Sequence, residues 1–258
     1  MSTNKGKKSS KTKYSEELYN WIEEVCLCDK DSDELASLKH MVNLRRLCMS
    51  NCQIDDLSIV SHLTGLEELV INNNLIEDLT PLTNLSQLKK LHLNGNQISD
   101  LSPLASLTQL EELRLSDNEV DDLSPLAELS NLKGLDICNN QVDDLTHLAG
   151  LINLENLCIC HQEIEDISPL TDLVNLKHLH LEDNEIEDIS PLSSMKKLEK
   201  LDMVDNYVRD ITPLHKMKKL KCLDLSGNDV DEEQVAELSQ LNPGCEIFLV
   251  SVDFDDCC

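Results

Sequence analysis

Aromatic residues are scarce in this sequence. One Trp, three Tyr and two Phe make up 2% of the 258 residues. Sandwich domains and α/β enzymes of this length normally bury a richer set of rings in their cores. The apolar fraction of 40% consists mostly of Leu, Ile and Val, which is ample for a core. We therefore expect an aliphatic core, and an ordinary sandwich or α/β enzyme is disfavoured.

Positive charge is equally scarce. Lys and Arg number 22 against 49 Asp and Glu, so the formal net charge is −27. Proteins that bind nucleic acid neutralise phosphates with clustered Lys and Arg. Docking on anionic lipid requires the same kind of basic cluster. The charge balance thus excludes nucleic acid and membrane surfaces as expected partners.

The sequence lacks long apolar runs and a leader with an apolar centre. No stretch approaches the roughly 20 apolar residues of a membrane span. Residues 1–13 read MSTNKGKKSSKTK, with five lysines and no apolar segment, which differs from a signal peptide. We expect a disordered basic tail there. The eleven cysteines then favour a reducing compartment with free thiols, which predicts a cytoplasmic location.

What the sequence does have is a repeat of 22 residues. Counting from Leu44, the unit reads L-x-x-L-x-L-x-x-N-x-I-x-D-L-x-P-L-x-x-L-x-x. Position one is Leu in all nine copies up to Leu220, and position four is Leu from Leu47 to Leu223. Self-similarity at a fixed period of this length is the signature of a solenoid.

Each part of the unit predicts a local structure. Positions three to seven alternate between exposed and apolar residues, which is the period of a β-strand. Stacked coils would place these strands in parallel, about 4.8 Å apart. A single coil cannot bury its own apolar face, so its neighbours must complete the core.

Polar positions predict how each coil turns. Position nine is Asn in seven copies, with Cys52 and Gln162 as exceptions. An amide both donates and accepts, so a column of amides can satisfy backbone groups where the strand ends. Positions fifteen and sixteen are mostly Ser-Pro or Thr-Pro, where we expect the hydroxyl to cap a short helical turn. An acid at position thirteen, from Asp56 to Glu232, suits the start of such a turn.

This unit resembles the leucine-rich-repeat family over about residues 44–241. Within the family, the 22-residue length and the D-[LI]-[ST]-P-L segment are most similar to the bacterial internalin-type repeat. Similar units occur in the eukaryotic leucine-rich-repeat regulator of type-1 protein phosphatase. The resemblance implies an α/β solenoid: a curved, right-handed coil with a concave parallel β-sheet and short 3-10 or helical convex segments.

The ends depart from the repeat, as the ends of a solenoid must. Residues 14–43 are predicted to form an N-terminal cap with a degenerate first coil, whose helix at Tyr14–Trp21 covers the open edge with its rings. The solenoid itself is expected over residues 44–230. Residues 231–252 are predicted to form a capping helix followed by a last strand, Cys245–Val252, and residues 253–258 an acidic tail.

The exposed positions of the predicted sheet are three, five and seven. Their columns contain no aromatic residue, and the ring nearest to them is Tyr207 at position ten. Because aromatic and Arg anchors dominate typical interfaces, affinity here must come from shape and charge. The C-terminal half is the more acidic, which favours a protein partner with a basic patch. The predicted partner-binding residues are Arg114, Asp136, His180, Glu182, Asp202, Asp205 and Tyr207.

Two further charge patterns favour structural roles. Position two alternates in sign without exception, so each side chain is flanked by two opposite charges: Arg45, Glu67, Lys89, Glu111, Lys133, Glu155, Lys177, Glu199 and Lys221. Paired acids at positions twelve and thirteen form an acidic stripe. We expect these side chains to be solvated and to cap the turns that follow them. The alternative, weak cation binding, lacks the Gly-containing loops of calcium sites.

Cysteine and histidine form the sharpest chemical cluster. Cys158, Cys160, His178 and His180 offer a zinc-like set of ligands, although their spacing matches no standard zinc motif. Cys26 and Cys48 are also predicted neighbours, for which a disulfide is sterically conceivable. A Cys–His nucleophile pair is disfavoured because a flat sheet offers no oxyanion hole. The terminal Cys257-Cys258 resembles the prenylation signal of Rab-type GTPases, but an unmodified tail is favoured.

The leading hypothesis for function is a non-enzymatic, monomeric protein-interaction module that uses its concave face and needs no cofactor. The first alternative is a regulatory subunit of a type-1 protein phosphatase. The second is a secreted bacterial effector or an internalin-like protein that binds a host. Fold alone does not decide between them.

Overall fold

The structure, a computed structural model, describes residues 19, 21–30 and 35–250. The predicted basic tail, Tyr14 and the acidic tail with Cys257-Cys258 lie outside the described residues. Short parallel strands alternate with 3-10 helices, which confirms the predicted solenoid. None of the helices in the described ranges is both long enough and apolar enough to span a bilayer.

Eleven parallel strands form one sheet in the order of the chain. Their bounds are β1 Glu24–Cys26, β2 Arg46–Cys48, β3 Glu68–Val70, β4 Lys90–His92, β5 Glu112–Arg114, β6 Gly134–Asp136, β7 Asn156–Cys158, β8 His178–His180, β9 Lys200–Asp202, β10 Cys222–Asp224 and β11 Glu246–Phe248.

The strand register follows the repeat, since each residue of β2 to β9 pairs with the residue 22 places further on. Leu47 faces Leu69, for example, and Leu69 faces Leu91. The degenerate first coil keeps this register, with Val25 opposite Leu47. Spacing along the chain therefore becomes lateral adjacency on the sheet.

Short 3-10 helices form the opposite side of the coils. Their bounds are Ala36–His40, Leu57–Val60, Thr80–Leu82, Ser102–Leu104, Ser124–Leu126, Thr146–Leu148, Ser168–Leu170, Ser190–Ser194 and Thr212–Lys216. Leucines from both sides are fully buried between sheet and helices, as at Leu88, Leu91 and Leu104. One continuous core runs from Leu35 to Leu238.

The side chain at position nine links its own coil to the preceding one, as the amide column predicted. Asn118 accepts a hydrogen bond from the backbone N–H of Ile98 at 3.0 Å and donates to the carbonyl of Leu93 at 3.0 Å. It also donates to Leu115 within its own coil at 2.9 Å. Gln162 keeps both links between coils, to Val142 and Ile137. Cys52 keeps the donor link alone, through its thiol and the carbonyl of Leu27.

The predicted Ser/Thr caps are wrong, because the acid at position thirteen caps each turn instead. Asp100, for example, accepts the backbone N–H of Ser102 at 2.8 Å. The hydroxyl residue is the first residue of the 3-10 helix, and Pro follows it. The carboxylate is the stronger acceptor, and it reaches forward across two residues to an N–H that the helix leaves unsatisfied.

The two ends differ from the regular coils. At the N-terminal end, Tyr19 stacks on His40 with ring centroids 5.6 Å apart. Trp21 is 86% exposed, so the prediction that its ring covers the edge is wrong. At the other end, helix α1 spans Glu232–Leu241 and is capped by the side chain of Asp231. Strand β11 then pairs with β10.

Candidate protein-binding surface

The candidate surface is the concave face of the sheet, which carries positions three, five and seven of each coil. Strands of only three residues hold these side chains in columns, because each strand is hydrogen-bonded to both neighbours. Three zones differ in chemistry along the sheet: an ion-pair cluster near β4 and β5, a thiol cluster near β6 and β7, and an acidic zone from β8 onwards.

The ion-pair cluster is centred on Glu112. Its carboxylate lies 2.8 Å from Arg114, 3.0 Å from His92 and 3.5 Å from Lys90. Burial alone would raise the pKa of Glu112, but its interactions with His92, Arg114 and Lys90 outweigh burial and lower the pKa. Arg114, a predicted binding residue, is therefore exposed but already paired.

A shallow depression of about 440 Å³ lies beside this cluster. It forms where Gly134 leaves position three without a side chain, between Glu112 and Asn156 on the adjacent strands. Arg114, Asp136 and Cys158 complete its wall. Two predicted binding residues, Arg114 and Asp136, thus share the deepest part of this zone.

The half-buried side chain of Asp136 is held in place from two sides. It accepts hydrogen bonds from the hydroxyl of Ser116 and from the backbone N–H of Cys138. Burial raises the pKa of the Asp136 carboxyl, and the nearby Cys138 adds to the effect. This carboxylate is positioned rather than freely mobile.

The thiol cluster consists of Cys138, Cys158 and Cys160. The backbone N–H of Cys160 donates to the sulfur of Cys138 at 3.1 Å. Hydrogen bonds from the thiols of Cys158 and Cys160 lower the pKa of Cys138, and the same bonds, together with burial, raise the pKa of the two donors. The thiols of Cys158 and Cys160 thus both interact with the sulfur of Cys138.

The predicted zinc-like set is not assembled. Cys158, Cys160, His178 and His180 do not form a group of three ligand atoms within 4.8 Å, in the part of the chain that the structure describes. The two thiols turn towards Cys138 instead, and His180 lies 3.7 Å from Asp202. Cys158 and His180 are lateral neighbours in one column, but His178 and Cys160 lie at positions three and seven of their coils, so the four groups do not converge.

The acidic zone carries the remaining predicted binding residues. Glu182 is half-buried and Asp205 and Tyr207 are exposed, whereas Asp202 is only 4% exposed. The expectation that Asp202 is an exposed contact residue is therefore wrong. Its carboxylate turns back to its own strand and accepts the backbone N–H of Val204 at 3.1 Å.

The buried carboxylate of Asp202 affects the pKa of the half-buried Glu182. Burial raises the pKa of Glu182, and the negative charge of Asp202 raises it further. No cation lies within ion-pair distance of the Glu182 or Asp205 carboxylates among the residues that the structure describes. The nearby His161 pairs with Asp183 at 3.0 Å instead, and that hydrogen bond raises the pKa of His161.

Position seven contributes less free surface than the sequence suggested. The side-chain oxygens of Asn72 and Asn94 accept the backbone N–H of the residue 22 places later, at 2.9 and 3.0 Å. These amides act as a second ladder between coils. The alternating charges at position two also pair with one another between neighbouring coils. Their ion pairs measure 2.5 to 2.7 Å, from Arg45–Glu67 to Glu199–Lys221.

Most cysteines in the described ranges carry free thiols, as expected: Cys26, Cys28, Cys48, Cys52, Cys138, Cys158, Cys160 and Cys245. The expectation is wrong at Cys222, which is disulfide-bonded.

Comparison with known proteins defines the class first. The family model for leucine-rich repeats in two copies matches residues 42–84, 86–128, 108–150, 152–194, 174–214 and 196–240. The chain belongs to the leucine-rich-repeat family. No curated protein sequence matches it.

The repeats are of the internalin type. The chain is similar to the crystal structure of an internalin from Listeria monocytogenes, with 31% identity and a TM-score of 0.83 over 92% of this chain and 69% of the other. It is also similar to an internalin C2 from the same organism, with 29% identity and a TM-score of 0.55 over 85% of this chain and 84% of the other.

A more distant neighbour shows the fold alone. This is a plant peptide hormone receptor solved in complex with RGF2, with 19% identity and a TM-score of 0.72 over 89% of this chain and 40% of the other. Leucine-rich-repeat proteins of the internalin and receptor type are protein-interaction modules and are typically non-enzymatic scaffolds.

Proposed function

We propose that the chain is a monomeric, non-enzymatic module that binds a protein through the acidic zone of its concave face. The observation that carries this is the pair of acids, Glu182 and Asp205, that face solvent without a cation of their own. Such a zone attracts a basic patch on a partner, and paired charges across an interface determine orientation and partner choice.

The state of Glu182 supports a cationic partner. Its charged form is disfavoured by burial and by Asp202. A Lys or Arg from a partner would offset both effects and favour the carboxylate, so association at neutral pH releases any bound proton. The exposed ring of Tyr207 lies at the rim of this zone and offers an apolar contact beside the charges.

Other parts of the concave face are less suited to be the main contact. Glu112 and Arg114 already neutralise one another, and a partner would have to displace that pairing. The same pairing argues against catalysis, because Lys90, Glu112 and Arg114 in the lining are held in mutual ion pairs. The depression at Gly134 instead offers shape for a protruding side chain of the partner.

The reported neighbours are internalins and a receptor, so they support a general binding role and give the phosphatase alternative no support of their own. A location in a reducing compartment, with a cytoplasmic protein as partner, also remains our proposal. The eight free thiols among the described residues support it, and the disulfide at Cys222 is the exception.

Affinity capture with a charge-reversed variant tests the proposal. The full chain is immobilised as wild type and as Glu182→Lys/Asp205→Lys, and captured proteins are quantified by mass spectrometry. Like charges placed opposite one another cost several kcal/mol, so we expect at least a roughly tenfold loss of the specific partner, or about 1.4 kcal/mol.

The matched control is Asp121→Lys/Asp143→Lys, which makes the same change in net charge on the acidic stripe away from the concave face. This control should keep the partner. Equal capture by wild type and Glu182→Lys/Asp205→Lys would contradict the proposal, and so would equal loss in both variants.

A further inference from the structure

A second group of cysteines lies at the opposite end of the sheet from the acidic zone. Cys26 in β1 faces Cys48 in β2, in register. Cys28 follows two residues after Cys26 and lies on the same face. The sulfur of Cys28 is 3.3 Å from that of Cys26 and 2.9 Å from that of Cys48. All three sulfurs lie within 4.8 Å of one another.

The backbone holds this arrangement in place. Leu27 donates its N–H to the carbonyl of Cys48 at 2.8 Å, and Asp29 donates to that of Ser50 at 3.0 Å. These bonds extend the pairing of β1 with β2 beyond the strand and fix the residue between them, Cys28. Asp29 then turns the chain with a φ of 58°. The three sulfurs are therefore positioned by the sheet itself, which is what a preorganised site requires.

Three thiols in this geometry suit a soft cation. Cysteine sulfur binds Zn²⁺ at about 2.3 Å, which places neighbouring ligands of a tetrahedral site roughly 3.8 Å apart. Small rotamer changes bring the observed separations to that value. Three protein ligands leave the fourth position for water or a further ligand, and the hydroxyl of Ser50 is 3.8 Å from the sulfur of Cys48.

The surroundings also suit a thiolate site. Cys26 is exposed and Cys28 and Cys48 are half-buried, so an ion can enter from the concave side. Arg46 lies two residues before Cys48 on the same face, where it pairs with Glu24 at 2.7 Å. Its charge is already balanced by Glu24, so the bound cation itself must compensate the negative charge of the three thiolates.

We propose that Cys26, Cys28 and Cys48 form a zinc site that fastens the degenerate first coil to the first regular coil. Each ligand loses its thiol proton to solvent as the sulfur binds the ion, with no change in oxidation state. The site lies where the solenoid has one neighbour less to supply core contacts, so a metal link there replaces packing that an internal coil would have.

Titration of the reduced full chain with Co²⁺ and then Zn²⁺ tests the proposal. We expect sulfur-to-cobalt charge-transfer absorption that saturates at a single equivalent and is bleached by Zn²⁺. The Cys48→Ser variant should weaken binding by more than the roughly 10–100-fold that loss of an outer-shell partner costs. Native mass spectrometry should show one zinc bound to the wild type.

Two variants make the test specific. Cys160→Ser removes a thiol from the other cluster and Cys245→Ser removes an isolated thiol, and both should bind the metal as the wild type does. The far-ultraviolet circular dichroism of each variant shows whether it has folded. Absence of charge-transfer absorption in the wild type would overturn the proposal, as would equal losses in Cys48→Ser and Cys160→Ser.

A thermal readout gives an independent check. An ion that binds only the folded chain raises its melting temperature, and the rise grows with the ratio of free ion concentration to the dissociation constant. Added Zn²⁺ should raise the melting temperature of the wild type and leave that of Cys48→Ser unchanged. An equal rise in both proteins would show that the ion binds elsewhere and would also overturn the proposal.

Discussion

Single residues at position eight carry a conformational requirement that fixes how each strand ends. Nine consecutive coils have a left-handed residue there, with φ between 49° and 74°, from Asn51 to Gly227. The residue types are Asn, Asp, Gly and one His, which tolerate positive φ better than other types. The residue types at position eight indicate this conformation, but they vary from coil to coil. The neighbouring position nine is the more uniform one, with Asn in seven of nine coils.

The amide at position nine is the residue-scale feature that the sequence predicted best. An Asn at the same place in seven of nine coils has few other uses, and the structure shows it satisfying backbone groups of two coils. What the sequence could not show is the extent of the linkage, because the donors and acceptors belong to residues 20 and 25 places earlier.

Replacing Asn118 with alanine tests this role. The change leaves the N–H of Ile98 and the carbonyl of Leu93 buried without partners, which should cost about 1–3 kcal/mol. Equilibrium urea unfolding measures the loss. As a control, Asn131→Ala removes an exposed amide that donates to Thr108, and should cost about 1 kcal/mol or less. Equal effects of the two substitutions would contradict the structural role of the buried amide.

Among the elements, the 3-10 helices show how sequence reasoning can place a turn correctly and assign its cap wrongly. The Ser-Pro and Thr-Pro pairs mark where each turn begins, and the structure has 3-10 helices there. The cap, however, is two residues earlier, because Asp at position thirteen reaches forward to the N–H of position fifteen. Spacing alone does not show whether the Ser or Thr hydroxyl caps the turn or whether the backbone N–H of that residue is capped by another side chain.

These aspartates make the stability of the solenoid depend on acid pH. Hydrogen bonds from the next hydroxyl residue lower the pKa of Asp78, Asp100 and Asp122. Because the folded pKa is below the unfolded value, the contribution is fully present above the unfolded pKa of about 3.9. It is lost as the pH falls through the folded pKa. Stability should therefore decline below about pH 4.

The triple variant Asp78→Asn/Asp100→Asn/Asp122→Asn isolates this effect. Asn keeps an acceptor oxygen but has no charge to titrate, so the free energy of unfolding should depend less steeply on pH between about 5 and 2. Urea unfolding at several pH values provides the measurement. Asp121→Asn, beside the capping Asp122, is the control and should keep the wild-type slope. An unchanged slope in the triple variant would contradict the capping account.

Ends of the solenoid were harder to predict than its centre, for a physical reason. In the centre, the same 22-residue pattern recurs in nine coils, so the role of each position can be inferred from nine copies. At the ends, a single segment must cover an open edge, and Trp21 shows that an aromatic residue near the edge need not do so. Cys28 was missed although it occupies position seven of the degenerate coil, because the prediction considered only the position-five pair, Cys26 and Cys48.

At the scale of the whole molecule, the solenoid places residues that are 22 apart in the chain beside one another on the sheet surface. The 22-residue period identified which side chains share a column, and the strand register confirmed it from β2 to β9. Burial on the concave face did not follow from the period. Asp202 occupies the same position as the exposed Arg114, yet its carboxylate turns back to its own strand. Local side-chain hydrogen bonds decide exposure there, and they vary from coil to coil.

The central claim is that the concave face binds the protein partner. Site-specific photo-cross-linking tests it most directly, with a photoreactive residue at Asn156 on the concave side, and separately at Asp172 on the 3-10 side, in the presence of the captured partner. Both positions are exposed, so each probe is equally accessible. If the concave face binds the partner, Asn156 should give a cross-linked product and Asp172 none. A product from Asp172 alone would show that the partner contacts the 3-10 side instead.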